Sequence, residues 1–385
     1  MSNDATSSKR TTLCFIPTNA DLAFVVFGAI FYYLISHTGF PFSRTLLLQI
    51  IDDVVQLTFI VMLLAVPIVC ARMVHQGWKF GFATLKRKDV VLRLVQPYFT
   101  LEFVFLTFRR AGIALGAIFL FVHLKHLILW WHPENFDRQL WDLDRKIHFG
   151  VQPNIWAMNT LSPYPTLTVL VDWLYIQYFQ YKLIVAMIFL MEPRGRKLSN
   201  QFFLAFELMW FIGGLLYLAV PADGPCFAVL SQYSVPHEEQ AHMFRFPVVD
   251  DIPQSFAEQY SHARIWYAKV YQEQLWTDRR DFLTGKDLPG IFYGIAAMPS
   301  LHVAAVSFMA FFLFRASVLG GIIGAAYALV IFFGSMFLQW HYAVDGYAGF
   351  ALACFITWVS TKTPELWPLV FRQKKADCDQ KILQK

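Results

Sequence analysis

The sequence predicts an all-α, polytopic membrane helix bundle, and three observations carry that expectation. Of 385 residues, 57% are hydrophobic and only 15% charged, whereas a soluble domain carries about 25% charged residues. The apolar residues collect in runs of the roughly 20 residues that a helix needs to cross a hydrocarbon core. Lys and Arg residues gather between those runs, and mostly on alternate sides of them. The net charge of +5 therefore belongs to membrane-flanking loops and does not mark a nucleic-acid surface. The five cysteines show neither pairing nor metal-ligand spacing.

Taken in order, the apolar runs predict about eight transmembrane helices, over 20–36, 46–69, 112–131, 167–191, 202–220, 298–314, 319–338 and 342–360. The first run has no cleavage site after it and is expected to stay as a span. Residues 90–108, with Pro97 among them, read as an amphipathic element lying on the membrane without crossing. The segment 221–296 is the one sizeable polar stretch. It is rich in proline and is expected to hold one amphipathic helix near 255–276. Aromatic residues such as Trp156, Tyr164, Trp173 and Tyr175 fall where an interfacial belt belongs.

With that layout, and with the long segment 221–296 left out because long loops do not vote, twenty Lys and Arg lie on the side of the N-terminus and four lie in the short loops opposite. Both termini are thus expected in the cytoplasm. The apolar stretch between His302 and His341 is long enough for two crossings and too short for three. Both histidines then open spans from the same, non-cytoplasmic surface.

The chemistry concentrates at those two positions. Met298-Pro299-Ser300-Leu301-His302 reads as a helix start, where free N–H groups attract an anion. His341 and Asp345 are four residues apart, so on a helix they share a face and the carboxylate can orient the imidazole. Ionisable residues at membrane depth are costly and tend to be functional. The pattern points to a nucleophile or base, its orienting acid, a second histidine and a phosphate cradle.

Pro299-Ser300-Leu301-His302 followed by His341-Tyr342-Ala343-Val344-Asp345 resembles two signature motifs of the type 2 phosphatidic acid phosphatase (PAP2) superfamily. The forms resemble most closely its inositol phosphorylceramide synthase-like branch. The resemblance implies a six-helix catalytic core over 111–360, including the outer segment 221–296. Ahead of it would stand a cytoplasmic tail (1–19), then two accessory spans and a basic cytoplasmic loop (20–110); a basic cytoplasmic tail (361–385) would follow. It implies that His341 attacks phosphorus, Asp345 holds its tautomer and His302 moves the proton, with neither cofactor nor metal. Ser300 would bind phosphoryl oxygens. Arg279, Arg280 and Lys286 are the candidate outer-loop phosphate contacts, and Asp172 and Tyr175 the candidate headgroup contacts.

The departures bear on the reaction. The Arg that phosphatases of the superfamily carry six residues before the second histidine is Ser335 here, and their Lys-x6-Arg-Pro motif is not recognisable. A phosphodiester, with one negative charge, asks for less positive charge than a monoester dianion. The expected activity is transfer of an inositol phosphate-like headgroup from a phospholipid donor to a lipid alcohol. A lipid-phosphate or polyprenyl-diphosphate phosphatase using water is the alternative, and a non-catalytic transporter or scaffold the third reading. The bilayer is the expected partner, in a bacterial inner membrane or a Golgi-type membrane.

Overall fold

A computed structural model describes residues 17–38, 44–131, 136–192, 197–227, 253–283 and 297–364. The regular elements among them are all helical. They are α1 (Asn19–Thr38), α2 (Arg44–Phe80), α3 (Lys88–Val95), α4 (Leu101–Trp131), α5 (Asp137–Ile147), α6 (Pro153–Leu161) and α7 (Pro165–Ile176). After these come α8 (Tyr178–Leu190), α9 (Lys197–Ala219), α10 (Gln254–His262), α11 (Tyr267–Leu283), α12 (Leu301–Ala316), α13 (Val318–Phe337) and α14 (Ala343–Lys362).

Six stretches of described helix are long and apolar enough to cross a membrane, and the pair α7–α8, bent by 45°, makes a seventh. This is a multi-pass membrane helix bundle. Helix α12 is the remaining expected span; at 16 residues it is short for a crossing. Eleven of those residues are buried, so protein and not lipid surrounds it.

The chain divides into two compact units. One comprises Met1–Phe119, Ile184–Glu207 and Val359–Lys385, and the other Leu120–Leu183 and Leu208–Trp358. In the first, Arg109 forms an ion pair with Asp21 of α1, Nε donating to Oδ1 at 2.7 Å. Arg110, 3% exposed, donates to the Glu192 carbonyl at 3.1 Å and to Asn200 Oδ1 at 3.2 Å. The sequence assigns both arginines to the basic cytoplasmic loop and reads 90–108 as one amphipathic element. Instead α3 ends at Val95, a turn runs through Pro97, and α4 starts at Leu101, ahead of the span expected from 112. Proline has no N–H to continue a helix, and Thr100 Oγ restarts one by accepting from Phe103 N at 3.2 Å.

In the second unit, Ser317 ends α12 and caps α13, its Oγ accepting from Gly320 N at 3.4 Å. The two helices approach closely where Gly324 faces Ala310: a Cβ on Gly324 would stand 3.1 Å from the Ala310 backbone. Small residues at a crossing are how membrane helices gain dispersion contact. The opposite face of α13 leaves Leu319, Ile322 and Ile323 exposed, a surface suited to acyl chains. The single helix expected near 255–276 is two, α10 and α11, broken at Ala263–Trp266. Asp172 of α7 causes the break: its carboxylate accepts from the N–H groups of Trp266, Tyr267 and Ala268 at 2.7, 2.8 and 2.9 Å, and so caps α11.

Candidate active site

The site is built where α12 and α14 begin. Ser300 is the N-cap of α12, its Oγ accepting from Val303 N at 3.3 Å. Its own N–H donates to the Asp345 carbonyl at 2.8 Å, which fixes the two helix starts side by side. No side chain fits between them: a Cβ on Gly349 would lie 2.3 Å from the Ser300 carbonyl oxygen.

The side chains then meet. His302 Nδ1 is 3.2 Å from His341 Nε2, and His341 Nδ1 is 3.5 Å from Asp345 Oδ2. His341 is 3% exposed and Asp345 fully buried, while His302 is half-buried. Asp345 Oδ2 also accepts from Tyr342 N at 2.9 Å, which holds the carboxylate against the loop it serves. A carboxylate at Nδ1 favours the Nδ1–H tautomer, leaving a lone pair on Nε2 that accepts from His302 Nδ1–H. The result is a buried, oriented ring nitrogen next to a second imidazole, an arrangement chemically suited to nucleophilic attack with proton transfer.

The loop before His341 is held as tightly as the ring. Trp340 N and His341 N donate to the Ser335 carbonyl at 2.9 and 3.2 Å. Asn154 of α6 donates to the carbonyls of His341 and Met336 at 3.0 and 3.1 Å. Gln339 ends α13 in the left-handed region, φ 62°, and its side chain closes back on the Met336 carbonyl at 2.8 Å. Ser335 is 1% exposed, and its Oγ donates to the Phe332 carbonyl at 2.7 Å.

Helix α5 supplies two further carboxylates. Asp144 accepts from Ala343 N and Val344 N at 2.8 and 2.9 Å and so caps α14. Asp137 accepts from Tyr342 OH at 2.6 Å and from the N–H groups of Asp223 and Gly224 at 2.7 and 2.8 Å. Burial pushes both acids up to about 6; the neighbouring Asp223 charge adds to it for Asp137, and the Asp345 charge for Asp144.

The other expected contacts are distributed. Tyr175 is buried with its ring 5.7 Å from that of His302, and its hydroxyl has no partner among the described residues. Both oxygens of Asp172 are engaged by the α11 backbone. Arg279 and Arg280 lie in α11, but their side chains, like the whole of Lys286, fall outside the described residues.

Sequence reading missed Asp137, Asp144, Asn154 and Tyr178. The Tyr178 ring stands edge-on to His302 at 4.5 Å, with the Lys182 ammonium 5.0 Å from its centroid. Lys182 is thus one aromatic ring removed from His302. The α5 acids did leave a signal. Asp137, Leu140, Trp141 and Asp144 are its buried residues, spaced three or four apart as one helical stripe.

The chain belongs to the PAP2 superfamily, whose profile matches residues 138–359. That makes it a membrane phosphatase or phosphotransferase of lipid phosphates. The matched region contains both histidines, Asp345, Asp144 and Asn154, and it begins after the span expected over 112–131. No curated protein and no solved structure matches the chain.

Proposed function

We propose that this protein moves a phosphorylated headgroup from a phospholipid to a lipid hydroxyl through a phosphohistidine. The single observation that carries the reading is the line His302–His341–Asp345, with the nucleophile's lone pair facing the second imidazole. A phosphorus entering between the rings replaces the contact between them. His341 Nε2 bonds to phosphorus as the bond to the diacylglycerol oxygen breaks, and His302 gives that oxygen its proton. The acceptor hydroxyl then attacks phosphorus, His302 takes its proton, and the P–N bond breaks. Asp345 stabilises the imidazolium character that develops on His341. Proton transfer of this kind is worth about 10²–10⁴-fold in rate.

The donor we infer is an inositol phosphate-bearing lipid and the acceptor a long-chain lipid alcohol such as ceramide. Two features support transfer over hydrolysis. The nucleophile and its acid are buried, which disfavours water as the competing acceptor. The site also lacks the Arg at position 335, while Lys182, beside the Tyr178 ring that abuts His302, offers the modest positive charge that a phosphodiester needs. We place the reaction on the non-cytoplasmic surface, from the distribution of Lys and Arg.

A radiolabelled-donor assay in liposomes tests this. Label should pass to an added lipid alcohol, and an acid-labile label should be trapped on the protein. His341→Ala should abolish both while leaving folded protein. Release of free phosphate in place of transfer would select the phosphatase reading. Full activity of His341→Ala would remove the mechanism.

A further inference from the structure

At the corner between α10 and α11, Trp266 is 74% exposed, and Tyr267, Val270 and Tyr271 are exposed beside it. Spacings of one, three and four residues put these four on one side of the start of α11. Ile265, Ala268 and Gln272 point the other way and are buried. Beyond Gln272 the exposed residues turn polar, as Glu273, Gln274 and Thr277. The exposed side of α11 is therefore apolar only near its start.

The place of that start in the fold says what covers it. Asp172, which caps α11, lies well inside α7, roughly 10 Å along the axis from Pro165 at 1.5 Å per residue. Helix α7 is the first half of a membrane span, and its Leu167, Val169, Leu170 and Trp173 are exposed, as a spanning helix is toward lipid. The aromatic start of α11 is tied to that helix at the level of Val169 and Trp173. The backbone there is also sealed as a lipid boundary requires, because non-helical backbone at membrane depth must find its hydrogen bonds within protein. The N–H groups of Trp266, Tyr267 and Ala268 go to Asp172. The carbonyls of Ser261 and Ala263 accept from Lys269 Nζ at 2.9 and 3.0 Å. A carboxylate and an ammonium thus serve this corner as water serves an ordinary loop.

We propose that the α10–α11 corner is a lipid-docking surface, seated at the boundary between headgroups and acyl chains of the leaflet at the Pro165 end of α7. Trp and Tyr rings favour that boundary, and Arg264, also exposed, is long enough to keep its charge among the phosphates. The buried side of the same pair is fixed to the His341 loop. Tyr260 OH donates to Gln272 Oε1 at 2.6 Å, and Gln272 Nε2 donates at 2.8 Å to the carbonyl of Leu338, three residues before His341. The docking surface and that loop share one support, so the depth of the leaflet fixes the level of the paired imidazoles.

The test reads depth directly, on full-length protein without native cysteines, one chain to each phosphatidylcholine nanodisc. A nitroxide is attached at Val270→Cys or, as a control on the polar part of the helix, at Thr277→Cys. Oxygen concentrates among acyl chains and a nickel chelate in water, so their collision rates with the nitroxide report the medium. We expect oxygen to exceed the chelate at 270 and the chelate to exceed oxygen at 277. A second measurement needs no cysteine: phosphatidylcholine brominated high on its acyl chains should quench a smaller share of the emission of Trp266→Phe than of the parent. The chelate in excess at both positions would place the corner in water. A label at 270 shielded from both reagents would mean that protein covers the face. Either result, or equal quenching of Trp266→Phe and its parent, overturns the proposal.

Discussion

His341 is constrained at its ring, its carbonyl and its N–H by Asp345, Asn154 and Ser335 respectively. Such over-determination is what holds a reacting nitrogen within the few tenths of an ångström that productive attack requires. It also explains the glycine that closes the motif. Gly349→Ala would press a methyl group onto the Ser300 carbonyl, and overpacking of this kind costs about 1–3 kcal/mol. We expect a lowered thermal midpoint together with a loss of turnover, since the strain falls on the helix starts that bring His302 to His341. Lys182 makes a separate prediction. On the proposed reading it neutralises the donor's phosphate and moves no proton, so Lys182→Met should raise the donor KM roughly tenfold with a smaller change in kcat. An unchanged KM in steady-state kinetics would assign it to packing alone.

Helix α5 is polar enough to be mistaken for a solvated connector, yet its buried stripe anchors both Tyr342 and the start of α14. Its acids give the fold a pH dependence of definite sign. Asp137 and Asp144 are raised to about 6 from 3.8, so the native state holds their protons more tightly than the unfolded chain does. Their contribution to stability is greatest below about pH 4 and is lost as the pH rises through about 6. Asp137→Asn should therefore flatten the decline of the thermal midpoint measured between those two values. A slope identical to the parent's would mean that Asp137 ionises normally in the fold. The same helix capping recurs at Asp172, where a carboxylate expected to meet a headgroup instead starts α11. Backbone N–H groups at a helix start compete for any nearby anion, and sequence spacing does not reveal which helix start will arrive.

At the scale of the whole molecule, the expected excess of Lys and Arg in the loops on one side of the bilayer predicts that the histidine end faces the other. A cysteine placed at Phe149, 99% exposed, or at Trp78, 85% exposed, tests this in a background without native cysteines. The first should react with a membrane-impermeant maleimide in intact vesicles of non-cytoplasmic-side-out orientation. The second should react only after permeabilisation. The reverse pattern would invert the topology and place the reaction in the cytoplasm.

Sequence by itself determined the solvent, the helical class and the pair of histidines. Run length is matched to bilayer thickness, and the i, i+4 spacing did bring His341 and Asp345 together, though not on one helical face: α14 starts at Ala343, and His341 reaches Asp345 from the loop before it. It also carried the family's motifs, which the profile match over 138–359 supports at the level of the superfamily. Only the tertiary structure decided what holds the site in place. Asn154 and Asp144 act on His341 and α14 from nearly two hundred residues away in the chain. The Ser300 amide finds the Asp345 carbonyl across two complete helices. Such contacts depend on which helix ends arrive together, and a buried hydrogen-bonding group is satisfied by whatever lies within about 3 Å, however distant it is in sequence.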